Sequence, residues 1–280
     1  MSPSVQWLHK CLQNGRYNYP HSGRKLHLQH GPIDLIIEIS GTSADDEQAG
    51  YQRAIDRFDT VLTELVAELP ALRTRTDVNH CLFKGAIAKR MWRAARDCEH
   101  WCVSVPQRLE RKHRAPQHLA STPMIAVAGS VADEVLTAII GSADDLQRLN
   151  KVSVNNGGDI AIWLDRQSGY RVGVVTNPDD ARITASLALL REDGIGGVAT
   201  SGWRGRSYSM GIADSVTVLA ANAAVADAAA TLIANAVNYD SLNESLNGAC
   251  QSEFIERKPA NELDPDTDLG DALVLSLIHI

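Results

Sequence analysis

The run Ser215-Val216-Thr217-Val218-Leu219-Ala220-Ala221-Asn222, continued without a break by AAVADAAATLIANAVN, constrains the fold more than any other stretch of this chain. Its first half alternates like a strand, and Asn222 is a natural N-cap for the alanine-rich helix that follows. Ala220, Ala223, Ala224, Ala230 and Ala234 give that helix a surface of methyl groups. Whatever packs there can come close. Asp227 and Thr231 stand four apart and share a helix face. A carboxylate and a hydroxyl beside small side chains leave room for something bulky. Hard oxygens of this kind suit Mg²⁺, which keeps one or two carboxylates plus waters and substrate phosphates. A tightly packed helix with one capped or solvated Asp is the plainer reading of the same spacing.

Upstream, GRKLHLQHG and Ile33-Asp34-Leu35-Ile36-Ile37-Glu38-Ile39 read as strands, the second ended by Ser40-Gly41. Tyr51, Ile55, Phe58, Leu62, Leu65 and Leu69 recur at alternating steps of four and three, which predicts one long helix closed by Pro70. Residues 85–97 predict a second amphipathic helix with Ile87, Met91 and Ala94 or Ala95 inward. The stretch 99–123 holds Arg108, Arg111, Lys112, His113, Arg114 and two prolines before Pro123, and predicts a solvated surface loop. Order returns with a helix over 130–140, strands over 160–164, 171–175 and 215–220, and the helix over 223–237. Strands mixed with helices, without a strict βαβ rhythm, favour an α+β fold. The apolar end of NELDPDTDLGDALVLSLIHI leaves two alternatives, a truncated chain or a last strand tucked into the sheet.

Subtracting 34 acidic from 27 basic residues gives a net charge of −7 over 280 positions. Hydrophobic residues at 44% and charged residues at 22% are ordinary globular values, enough for a core and one or two domains. The acidic balance and only 5% aromatics argue against nucleic-acid binding, by charge or by base stacking. No uninterrupted run of about 18 apolar residues appears, so no membrane span is expected. The polar start, MSPSVQWLHK, has no signal-peptide core, and the expected address is the cytoplasm. Five scattered cysteines suggest no disulfide framework, and Cys98 with Cys102 lacks a second pair for zinc. Neither H-E-x-x-H nor G-x-S-x-G occurs. No feature sets an oligomeric state.

Three further segments carry chemistry. Asn155-Asn156-Gly157-Gly158-Asp159 lets backbone amides approach a ligand, or is simply a tight turn before a strand. Ala199-Thr200-Ser201-Gly202, with Arg204 and Arg206 close behind, offers hydroxyls and guanidinium groups to phosphate, or forms a plain loop. Ala126-Val127-Ala128-Gly129-Ser130-Val131-Ala132-Asp133 turns at glycine into a helix, whose free amides attract anions or whose small residues serve close packing.

In this order the four segments resemble the ApbE family, flavin transferases that use FAD and Mg²⁺. The resemblance covers residues 125–238 by motif: Gly129-Ser130-Val131-Ala132, Asn155 to Asp159, Ala199 to Gly202, Ser215 to Val218, and Ala226-Asp227-Ala228 with Thr231. It implies a T-fold-related α+β fold with mixed or antiparallel sheets packed with helices. The chain would be a single unit over 1–280, or two intertwined α+β subdomains. Asp227, Thr231 and the backbone carbonyl of Ser130 would hold the metal. Gly129, Asn156, Gly157, Gly158 and Asp159 would line the flavin or nucleotide pocket, with Thr200, Ser201 and Gly202 along the bound ligand. In the family FAD is cleaved at its pyrophosphate, FMN passes to a hydroxyl on a protein acceptor, and AMP leaves.

Two departures stand out. Asp133 occupies the place of the family's lysine. The interval WRGRSYSMGIAD lacks the His and Asp-Pro that contribute to the family's catalysis, leaving Asp214 as a substitute proton acceptor and Arg204 and Arg206 for phosphate. The expected function is Mg²⁺-dependent FAD or nucleotide binding with pyrophosphate cleavage, by hydrolysis or FMN transfer. The alternative is a non-catalytic flavin or nucleotide binder, or an accessory protein for a partner enzyme.

Overall fold

Alternating apolar residues on the N-terminal strands face one side and set the first layer of the core. The computed structural model describes residues 2–9, 24–104, 121–174, 183, 185–203, 209, 213–237 and 275–279. Strands β1 (Ser4–His9), β2 (Arg24–His30) and β3 (Ile33–Gly41) form an antiparallel meander, with Leu26 opposite Ile37 and Leu28 opposite Leu35. These four side chains are fully buried. Helix α1 (Ala44–Leu72) crosses the face they create, burying Tyr51, Ala54, Phe58, Val61 and Leu65. Ser43 caps its start by accepting from the Asp46 amide.

The helix runs past Pro70, which was expected to close it. Proline removes one amide and crowds the carbonyl four residues earlier, that of Val66. Val66 is 55% exposed, so water can serve that carbonyl and the last turn survives to Arg73, whose amide bonds Leu69. Helix α2 (Ala86–Ser104) likewise outlasts its expectation, because CEHWCVS contains no breaker before Pro106. Residues 99–104 of the expected loop are therefore helical, and 105–120 lie outside the described residues. Ile87, Met91, Ala94 and Ala95 are its buried face.

A short 3₁₀ turn, Pro123–Ala126, enters α3 (Val127–Ile140), and the single turn α4 (Ala143–Leu146) follows. On length and a mean hydropathy of 1.6 the run Pro123–Ile140 qualifies as a membrane span, which counting uninterrupted apolar residues did not show. Here it is a core helix, 56% buried and interrupted by Asp133 and Glu134. Glu134 binds Arg57 of α1 and Arg90 of α2 at 3.1 and 3.2 Å, which ties the three helices together.

Strands β4 (Leu149–Asn156), β5 (Asp159–Leu164), β6 (Gly169–Val174), β7 (Ala185–Leu190), β8 (Gly197–Ser201) and β9 (Ser215–Ala220) precede α5 (Ala223–Ala236), and β10 (Leu275–His279) is last. Eight strands form one sheet in the order β1-β2-β3-β4-β5-β8-β9-β10, antiparallel except for the parallel β9–β10 pair. The chain is thus α+β, an antiparallel-dominated sheet packed with helices. Helices α1, α3 and α5 cover one face. The β6–β7 hairpin covers part of the other, with Val172 and Leu189 on Ile160, Ile162, Val198 and Leu219.

Candidate functional site

The site lies where three chain reversals meet: the β4–β5 turn, the start of α3 and the first turns of α5. Gly157 and Gly158, at φ of 66° and 120°, close a two-residue hairpin that pairs Asn156 with Asp159. Asn155 steadies the turn by accepting from the Gly158 amide at 2.8 Å. Asn156 is 8% exposed, and its Nδ2 donates to the Ala128 carbonyl at 3.1 Å, joining the turn to α3.

Glycine lets α3 and α5 touch through their backbones. A Cβ on Gly129 would stand 2.2 Å from the Ala223 carbonyl oxygen. Small residues in this segment therefore serve close packing. They also bring two carboxylates to the helix starts. From α5, the Asp227 Oδ2 accepts from the Gly129 amide at 2.9 Å, and the Ala128 amide also bonds this carboxylate. From α3, Asp133 accepts from the Ala223 and Ala224 amides at 3.0 and 2.9 Å. Asn222 takes the Val225 amide at 2.9 Å and completes the cap of α5. Each helix thus supplies a carboxyl acceptor to the open amides at the start of the other.

A cavity of about 710 Å³ opens beside this junction, within the usual size of a small-molecule site. Asn156, Gly157, Gly158, Asp159, Thr200, Asp227 and Thr231 line it, so seven of the expected site residues share one space. Thr200 and Thr217 meet there with hydroxyl oxygens 2.9 Å apart. Apolar walls come from Met124, Ile125, Ile160, Val172 and Val174.

Five expected residues among those described are elsewhere. Gly129 acts behind the wall through its amide. Ser130 is fully buried on α3, its hydroxyl has no partner, and its carbonyl falls within the helix ladder, already engaged four residues on. Motif position suggested that carbonyl as a ligand, and within the helix it already accepts one hydrogen bond. Ser201 is buried, and Gly202 packs against the Asp214 backbone. Asp214 does not line the cavity and accepts from the Trp203 Nε1 at 3.1 Å. Arg204 and Arg206 lie outside the described residues.

Asp159 and Asp227 are half-buried in the wall. Burial, then the negative charge of Asp159, pushes the Asp227 carboxyl well above the usual carboxylate range, against the pull of the Gly129 and Ala128 amides. Burial likewise raises Asp159, which accepts from the Thr200 amide. Two carboxylates that repel each other call for a shared proton or a cation. No group of three His, Cys, Asp or Glu side chains gathers among the described residues. A cation here would have two carboxylates and the Thr231 hydroxyl, a hard-oxygen set that leaves positions for water or phosphate and so suits Mg²⁺. Sequence reasoning placed Asp159 in the pocket without pairing it with Asp227, and it gave the Ala128–Gly129 helix start to anions without naming Asp227 as the anion.

Residues 17–279 match the family model described as AbpE bacteria. The chain belongs to this ApbE-related family. The AbpE-family match includes all four motif segments and every cavity residue named above. A UPF0280 protein of Methanothrix thermoacetophila is 38% identical over 135 residues, 48% of this chain and 54% of the relative. One from Methanothermobacter thermautotrophicus is 38% identical over 126 residues, 45% of this chain and 46% of the relative. The aligned part thus spans about half the length of these two. A third, from Methanobrevibacter smithii, is 30% identical over 179 residues, covering 64% of this chain and 71% of the relative.

Proposed function

We propose that this AbpE-family chain binds FAD or a related nucleotide with Mg²⁺ in the 710 Å³ cavity and splits its pyrophosphate, by hydrolysis or by FMN transfer. The observation that carries this reading is the pair of mutually repelling carboxylates, Asp159 and Asp227, facing one cavity with Thr231. When bound, Mg²⁺ would offset negative charge on the phosphate oxygens and the departing AMP. The chain's own residues divide the remaining work. Asp227, Thr231 and Asp159 would hold the cation. The open Gly157-Gly158 turn lets a ligand approach the backbone. Met124, Ile125, Val172 and Val174 offer an apolar wall to a ring system. The reading includes an ApbE-like, T-fold-related architecture, a cytoplasmic location, and a protein acceptor or partner enzyme.

A second reading, a flavin or nucleotide binder without the chemistry, is favoured by two observations. Asp133, at the lysine position, is a buried cap. Asp214, the substitute proton acceptor, is held by Trp203 away from the cavity lining. The deciding experiment measures AMP released from FAD by the purified protein with Mg²⁺ and then with chelator, alongside Asp227→Asn. Mg²⁺-dependent AMP that the variant loses supports cleavage. FAD binding without AMP supports the second reading. Neither binding nor AMP overturns both.

A further inference from the structure

We propose that Asp133 is a positioning residue for Asp227, holding the start of α5 so that the Asp227 carboxylate stays on the Ala128 and Gly129 amides at the cavity wall. The inference rests on the reading of Asp227 as a cation ligand. Three contacts carry it. Asp133 is 4% exposed and uses both carboxylate oxygens, Oδ1 on the Ala223 amide and Oδ2 on the Ala224 amide. Asp227 lies one turn further along α5, so a shift of those two amides moves its side chain with them. The return contact closes the loop, since the Gly129 amide that binds Asp227 at 2.9 Å lies one turn before Asp133 on α3.

The two contacts brace one another. Helix α3 has no side-chain cap of its own, because Ala126 fills that position, so Asp227 supplies the missing acceptor from 98 residues away. The backbones cannot slide past each other either, because the Gly129 position stands against the Ala223 carbonyl. A lysine at 133 would bring a cation to the positive end of α5. The acidic residue at this position is therefore part of the cavity's construction. It does not line the cavity and acts through Asp227.

The test compares wild type with Asp133→Asn, which keeps one acceptor oxygen, and with Asp133→Ala. Tyr51→Phe serves as the stability control, because it removes hydrogen bonds to Ile39 and Arg24 at the far side of the fold. Mn²⁺ alone is titrated and followed by the electron spin resonance of the free ion. Amide hydrogen exchange is followed at residues 128–129 and 223–224. The expected result is roughly tenfold or greater loss of Mn²⁺ affinity in Asp133→Asn, with faster exchange at both Ala128–Gly129 and Ala223–Ala224. Tyr51→Phe should retain its Mn²⁺ affinity. Unchanged Mn²⁺ affinity, with faster exchange only at Ala223–Ala224, would reduce Asp133 to a local cap and overturn the proposal. If wild type takes up no Mn²⁺, the cation reading falls and the positioning role toward a cation falls with it. Exchange at Ala128–Gly129 then still decides whether Asp133 places the Asp227 side chain.

Discussion

Asp159 and Asp227 act on stability in opposite senses with and without a cation. Both carboxyls are raised in the folded chain, Asp159 to about 7. Between the unfolded carboxylate range near about 4 and about 7, the folded state holds protons that the unfolded state has lost. Folding stability therefore falls as pH rises through that window. Thermal midpoints measured in chelator should decline from about pH 4 to about pH 7, and saturating Mg²⁺ should flatten the decline. Asp159→Asn should make it shallower without Mg²⁺, because burial still raises Asp227 and Asp133 in that variant. An unchanged slope in that variant would show that Asp159 holds no such proton in the folded chain. Spacing made Asp227 and Thr231 legible, because i and i+4 share a helix face wherever the helix sits. The approach of Asp159 was not legible, since it depends on how β5 packs beside α5. Motif order likewise gave Ser130 a role without giving the direction of its carbonyl, which depends on where α3 sits.

The elements with strong periodicity, α1, α2, β3, β9 and α5, were readable because their apolar faces repeat over many residues. Strand β4 was not, since Asn150, Lys151, Ser153 and Asn155 make LNKVSVNN look polar, and its end merged with the glycine turn. Strand β8 is five residues, GVATS, and its hydroxyls suggested a ligand loop before its ladder with β9 was known. The α3–α5 contact tests a further claim about elements. Gly129→Ala would place a methyl 2.2 Å from the Ala223 carbonyl. Two backbones cannot yield as a flexible side chain can, so the loss should reach about 3 kcal/mol, measured by chemical denaturation. A loss within about 0.5 kcal/mol of zero would mean that the helices separate easily.

Across the whole molecule, the cavity is assembled from chain segments far apart in sequence, and none of them forms it alone. The β6–β7 hairpin closes one side through Val172, Gly173 and Val174. FAD with Mg²⁺ should therefore slow amide exchange along β6 as well as at the Gly157–Gly158 turn, and leave β1 and β2 unaffected. Protection at the turn alone would place the ligand away from the hairpin. The exchanged caps of α3 and α5 also bear on the order of folding. Helix α3 lacks its acceptor until α5 arrives, and the first amides of α5 stay open until Asp133 is in place, with 90 or more residues between the partners. Neither helix can be finished ahead of the other, so both starts should lock in a single late step. A chain stopped before α5 is made would leave the first turn of α3 unfinished as well.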